Sequence, residues 1–295
     1  MSSSTTGALE VLGAAAAFGA MAVFARWAYA DGVSPATLLF LRFLLAALVL
    51  VPWVVVARLA WPRGRALLAL FLMGALGYAG MSACYFNALN HASAGTVALL
   101  LYLFPAIVLL LSAVLFKERL TGRRLLTLAL ALAGLAITVG TDLSARPLGL
   151  LLGVGSALIY ALYILAGSRF AQGTHPLAAS AVVIASAAAC NGLQLLIGAG
   201  FQGPESLKSW AASLAMALLC TVVAITLFLK GLEKVGATRA SLISTAEPVV
   251  TIVLAWILLG EHLSGLQLAG GGLILVAVAL SSGEKSTTEG PVKAA

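Results

Sequence analysis

The sequence predicts an all-α polytopic membrane protein, with ten transmembrane helices arranged as two inverted five-helix repeats. Three observations predict it. Of 295 residues, 62% are hydrophobic and only 9% charged, against about 45–50% apolar and about 25% charged in a soluble domain. The apolar residues gather in runs long enough to span a bilayer, which takes about 20 residues of helix. The second half of the chain also repeats the first at a fixed offset. Seventeen basic and ten acidic side chains are too few to clothe a water-soluble globule of this length. A transmembrane β-barrel also satisfies its backbone in lipid, but its strands alternate apolar and polar residues. The stretch LLTLALALAGLAITV, 125–139, does not alternate.

A hydropathy window punctuated by Pro, Gly and charge places the helices in order. Helix one covers 8–30 and is read as a span and not a cleaved signal: MSSSTTGALE has no positive n-region, and the apolar run outlasts an h-region. Helix two, 35–57, opens on Pro35, whose fixed φ suits a first turn. Helices three and four cover 66–89 and 94–116. Helix five, 121–140, has Thr121 as its candidate N-cap. Helices six and seven, 147–167 and 176–200, again begin at Pro, and helix eight covers 206–231. Helix nine is 237–260, and helix ten, 264–281, has Ser264 as its candidate N-cap.

Charge sets the expected orientation. With the N-terminus cytoplasmic, thirteen of the 17 basic residues fall in inside loops and the tail, while the outside loops hold only Arg146 and Lys208. The positive-inside rule then predicts that both termini are cytoplasmic. The net charge of +7 and pI near 9.6 are thereby assigned to contact with anionic headgroups, not nucleic acid.

An offset of 143 residues superposes Leu89, Ala94, Leu99, Pro105, Leu111, Glu118, Leu120, Gly122 and Leu125 on Leu232, Ala237, Leu242, Pro248, Leu254, Glu261, Leu263, Gly265 and Leu268. A nearby offset of 140 brings Gly13 and Ala17 onto Gly153 and Ala157. The expected units are residues 1–145 and 146–283, followed by a cytoplasmic tail, 284–295. An odd helix count per unit inverts the second copy. KERLTGRR (117–124) and its counterpart GEHLSGLQ (260–267) then face opposite sides, the second keeping Glu but no Lys or Arg. Inverted repeats around a midplane site are the architecture of secondary transporters.

The doubled pattern of Pro, twelve residues, Glu, one residue, Leu, Thr/Ser, Gly runs from Pro105 through Glu118 to Gly122 and again from Pro248 through Glu261 to Gly265. It resembles the EamA-type repeat of the drug/metabolite transporter superfamily over nearly the whole chain. The resemblance implies ten helices, cytoplasmic termini in a bacterial inner membrane, and export or exchange of small metabolites through a central cavity. Among the superfamily's amino-acid, drug and sugar-nucleotide carriers, the aromatic content of the expected cavity is most similar to that of exporters of amino acids, aromatic ones included.

Candidate solute contacts are polar groups at depth. Tyr78, Ser82 and Tyr85 share one face of helix three, Tyr160 and Tyr163 lie on helix six, and Tyr102 precedes Pro105. Tyr pairs a broad apolar body with a hydroxyl, suiting a flat amphipathic solute; the alternative is interhelical hydrogen bonding. Glu247, with Ser244 on its face, is a carboxylate where burial costs about 2.5–3.5 kcal/mol. It is either a proton-coupling or amine-binding group or the ion-pair partner of Arg42 or Arg26. Arg42 either attracts a solute carboxylate or pairs with Glu247. Pro105 and Pro248 are either hinges or fixed packing kinks. Glu118 and Glu261 each precede an N-cap and are read as structural.

No other chemistry is expected. His91, His175 and His262 fall in loops without an HExxH or P-loop motif, and three helical cysteines form no disulfide or zinc pattern. We therefore expect no cofactor and no metal, and an enzyme is disfavoured. The expected partners are the lipid bilayer and a small solute, most readily an amino acid, with no nucleic acid. A passive channel or a drug exporter is the alternative function, and oligomeric state is left open.

Overall fold

The structure, a computed structural model, describes residues 3–88, 91, 97, 100–118, 120–139, 146–198, 200–260 and 265–282. These form ten helical rods, α1–α10. The first three are α1 (Ser3–Tyr29), α2 (Pro35–Val56) and α3 (Gly64–Tyr85, continuing to Ala88). They are followed by α4 (Phe104–Leu115), α5 (Gly122–Val139), α6 (Pro147–Phe170) and α7 (Pro176–Ile197). The last three are α8 (Leu207–Val235), α9 (Ala237–Leu259) and α10 (Gly265–Ser282). Among the described residues, seven of these rods are long and apolar enough to cross a membrane.

Local chemistry starts the rods where the sequence places them. Ser34 caps α2 by accepting from the Thr37 amide at 3.3 Å, with Pro35 in the first turn. Ser206 caps α8 through Ser209 N at 3.2 Å. Thr121 Oγ1 accepts from the Arg124 amide at 3.3 Å, as its N-cap reading requires. Ser264, Glu261, His262 and residues 284–295 lie outside the described residues. The exterior is apolar: Val56, Leu196 and Leu207 are 82%, 86% and 86% exposed. Contiguous apolar surface on this scale belongs against lipid.

Helix pairing follows the duplication. α1 packs on α8 as α6 packs on α3, α1 meets α9 as α6 meets α4, and the equivalent rods α2 with α7 and α5 with α10 pack on each other. Small residues permit the closest of these crossings. A Cβ on Gly134 of α5 would lie 2.6 Å from the Gly270 carbonyl of α10, and one on Gly231 of α8 would lie 2.7 Å from that of Gly7.

Two departures from plain α-helix also repeat. α3 and α8 each contain a π-helical turn, Met73–Tyr78 and Leu218–Val223, with Met73 and Leu218 145 residues apart. π turns are rare and concentrate at functional sites. Gly74 in the first is pressed against α7, where a Cβ would stand 2.1 Å from the Val183 carbonyl.

At the face carrying the start of α1 and the ends of α8 and α10, polar bonds form within and between the repeats. Lys234 and Lys230 of α8 reach Glu10 of α1 at 2.7 and 3.2 Å. Buried Arg239 of α9 donates to the Ser281 carbonyl at 2.9 Å and to the Ser4 hydroxyl. Arg123 donates to the Leu280 carbonyl at 2.8 Å. Glu118 accepts from Arg124 at 2.8 Å and from Thr238 of α9 at 3.1 Å. Its carboxylate thus ties two elements together, beyond the capping role expected from its position.

Candidate functional site

The site is organised by two matching interruptions. The chain turns at Tyr102–Leu103 before α4, and α9 divides at Thr245–Ala246. Helix restarts at Phe104 and at Glu247, each followed by Pro. Proline lacks the N–H for an i−4 bond and its ring crowds the preceding turn, but it fits the first turn of a new helix. The kink expected at Pro105 and Pro248 is therefore a break, and both rings line one void of about 10 Å³ with Tyr102, Thr245 and Ile274. Glu247, expected within a continuous helix, instead stands in the first turn of a half-helix, where the helix dipole favours a carboxylate.

An unbroken relay of rings crosses the bundle to this point. Phe43 of α2 meets Tyr78 at 5.3 Å between centroids, Tyr78 meets Tyr163 at 5.4 Å, and Tyr163 meets Tyr160 at 6.0 Å. Tyr160 contacts Phe104 at 4.7 Å, and Phe104 contacts Tyr102 at 6.0 Å. The Tyr102 side chain then stands within electrostatic reach of the Glu247 carboxylate. Tyr85 also stands within electrostatic reach of that carboxylate. Phe104 and Glu247 are equivalent positions of the two repeats, so Tyr102 bridges the duplicated places where one copy has a ring and the other a charge.

The sequence-derived candidates divide into two sets. Tyr85, Tyr102, Tyr160 and Glu247 are only half-buried although they lie on rods that pack within the bundle. Tyr78, Ser82 and Tyr163 are buried behind them, 6%, 6% and 3% exposed. Ser244 is buried too, its hydroxyl donating to the Ala240 carbonyl at 3.0 Å. The Tyr163 hydroxyl has no hydrogen-bond partner among the described residues.

Arg42 belongs to the second set. It is 3% exposed. Nε donates to Thr221 Oγ1 at 2.8 Å, Nη2 to the Cys220 carbonyl at 3.2 Å, and Nη1 to Met21 Sδ at 3.1 Å. The guanidinium lies 4.8 Å from the Phe43 ring centroid and 5.6 Å from that of Tyr78. Glu247 feels its charge, but the two form no ion pair within 4.0 Å, so the direct pairing considered from sequence is not made. Arg42 instead ties α2 to the π turn of α8. Thr221 and Cys220, which hold it, carried no sequence signal: neither is charged or aromatic, and the π turn that aims them is not encoded by periodicity. Among the described residues, no group of three His, Cys, Asp or Glu side chains is placed to hold a metal.

Ten helices in two inverted five-helix copies, with half-helices meeting beside the Glu247 carboxylate and a ring cluster, have the architecture of a multi-pass membrane transporter and not of an enzyme. The chain belongs to the EamA-like transporter family, which matches it twice, over residues 5–140 and 147–283. It is 30% identical to the uncharacterized inner membrane transporter YicL of Salmonella typhimurium, over 96% of this chain and 97% of that protein. It is 29% identical to the threonine/homoserine exporter RhtA of Escherichia coli, over 80% of this chain and 78% of that one. A protein solved by crystallography shares the fold at a TM-score of 0.81 and 22% identity, covering 93% of this chain and 96% of that one.

Proposed function

We propose that this transporter exports small metabolites, most readily amino acids and the aromatic ones among them, by alternating access around a cleft between its repeats. The observation that carries the reading is the half-buried set of Glu247, Tyr102, Tyr85 and Tyr160 at the two helix breaks. Accessible polar groups at that depth are costly and mark solute pathways, and rings with a few hydrogen-bonding groups suit an amphipathic guest. The amino-acid exporter among its relatives points the same way.

On this reading Tyr85, Tyr102 and Tyr160 stack on the solute and Glu247 holds its polar end. Tyr78, Ser82, Tyr163 and Arg42 form the wall behind, Ser244 braces α9, and Pro105 and Pro248 act as hinges. The units are residues 1–145 and 146–283, with both termini in the cytoplasm of a bacterial cell and the basic face turned inward.

Proteoliposomes loaded with unlabelled amino acid test the reading. External labelled phenylalanine should accumulate transiently by counterflow and saturate. A linear, unsaturable flux without counterflow would instead indicate a passive facilitator, and no flux of any of the twenty amino acids would discard the amino-acid assignment.

A further inference from the structure

The charges at the proposed cleft are unequal. Among the described residues Glu247 is the acid beside the ring cluster, half-buried at the tip of the α9 half-helix and within electrostatic reach of Tyr102. The sole basic side chain in the middle of the described rods is Arg42, and it is already engaged: three of its nitrogens are held by Thr221, Cys220 and Met21, and its guanidinium lies 4.8 and 5.6 Å from the ring centroids of Phe43 and Tyr78. Arg42 is 3% exposed, so a solute carboxylate would have to open the packing around it to reach it. A solute ammonium meets the opposite situation. Beside the carboxylate stand the rings of Tyr102, Tyr85, Phe104 and Tyr160, and a cation within about 6 Å of such a ring face is attracted by its quadrupole. The duplication removes a second charged pole, because the position equivalent to Glu247 is Phe104.

Resting on the reading that this cleft holds the solute, we propose that it recognises the solute's ammonium group and not its carboxylate. The transported class then includes primary amines with an aromatic or aliphatic body and no acid group. The apolar body lies along the ring relay and the ammonium takes its place between Glu247 and Tyr102. Amino acids qualify through the amine alone.

Competition against labelled phenylalanine counterflow, with the full chain in proteoliposomes, tests this. 2-Phenylethylamine should inhibit within about tenfold of unlabelled phenylalanine, and N-acetylphenylalanine should be at least about tenfold weaker, tenfold in affinity being about 1.4 kcal/mol. N-acetylphenylalanine matching or exceeding the amine would overturn the proposal, as would failure of both to compete. A direct measurement separates this proposal from the transport assignment. 2-Phenylethylamine should raise the unfolding temperature of the purified wild-type chain and leave that of the folded Glu247→Gln variant unmoved. That result in the absence of counterflow would retain ammonium recognition while discarding amino-acid transport. Counterflow with equal thermal shifts in wild type and Glu247→Gln would do the reverse.

Discussion

Thr221 shows how one small polar residue holds a charge inside the bundle. Its hydroxyl accepts from Arg42 Nε at 2.8 Å and donates to the Met216 carbonyl at 3.1 Å, using both its capacities at once. Thr221→Val keeps the shape and leaves a buried guanidinium donor unmet, a loss of about 1–3 kcal/mol. The expected outcome is a lower unfolding temperature in detergent, largely restored by Thr221→Ser; an unchanged midpoint in the Val variant would show that Arg42 is satisfied without it. At Tyr102, within electrostatic reach of Glu247, Phe substitution removes the hydroxyl and retains the ring. Phenylalanine counterflow by Tyr102→Phe should therefore show a raised KM with the fold intact by thermal unfolding, and an unaltered KM would remove the hydroxyl from the site.

At the scale of elements, the π turns and breaks are held by neighbours that leave no room. A Cβ on Gly74 would stand 2.0 Å from Ser186 Oγ and 2.1 Å from the Val183 carbonyl, and backbone on α7 cannot swing aside as a side chain can. Gly74→Ala should therefore force α3 away from α7 and lower the unfolding temperature sharply. Gly122→Ala, where a Cβ meets nothing within 4 Å, should be near neutral; equal effects would contradict the packing. A second tie is polar. Asp31, in the α1–α2 loop, accepts from Ser209 Oγ and, at 2.9 Å, from the Ser206 amide at the start of α8. The Ser209 hydroxyl beside it holds its carboxyl below the usual carboxylate range. A lowered pKa in the folded state means this tie stabilises at pH above the unfolded value of about 3.9 and is lost as pH falls through the folded one. Asp31→Asn should accordingly lose stability at neutral pH and lose less on acidification than wild type, measured as the unfolding midpoint from pH 7 to 3.

For the whole molecule, the two ends of the duplicated fold are unequally tied. The basic face closes through Glu10 with Lys230 and Lys234, Arg239 with Ser4 and Ser281, and Glu118 with Arg124 and Thr238. At the offset of 143, the counterparts of Thr238, Arg239 and Arg124 are Gly95, Thr96 and Gln267. The charges of that set are thus not repeated in sequence at the opposite face, which among the described residues is tied through Asp31 with Ser206 and Ser209. Surface ion pairs contribute only about 0–1 kcal/mol each; these are partly buried, Glu10 being 9% exposed, and cross-repeat bonds that must break together add along one motion. On the alternating-access reading, Glu118→Ala combined with Lys234→Ala should favour opening of the basic face. A cysteine placed at Ser241, on the α9 half-helix of that face, should then be labelled several-fold faster than in an otherwise wild-type chain; an unchanged rate would mean these bonds do not gate that face.

Bilayer span and duplication are local and periodic properties, so the chain's own text determined them: the ten spans, their pairing as repeats and the family pattern at Pro105–Gly122 and Pro248–Gly265 follow from where apolar runs, Pro and Glu recur. The ring residues were legible too, because aromatic and charged side chains are scarce at depth. Tertiary structure decided the rest. Hydropathy does not encode which face of a rod points inward when every face is apolar, nor which lone pair an arginine finds. Arg42 was thereby held by a threonine and a carbonyl on a π turn, Glu10 became a partner of two lysines more than two hundred residues away, and Glu247 moved from the middle of a helix to the tip of one. Those placements depend on contacts between residues distant in sequence, and only the packed bundle brings them together.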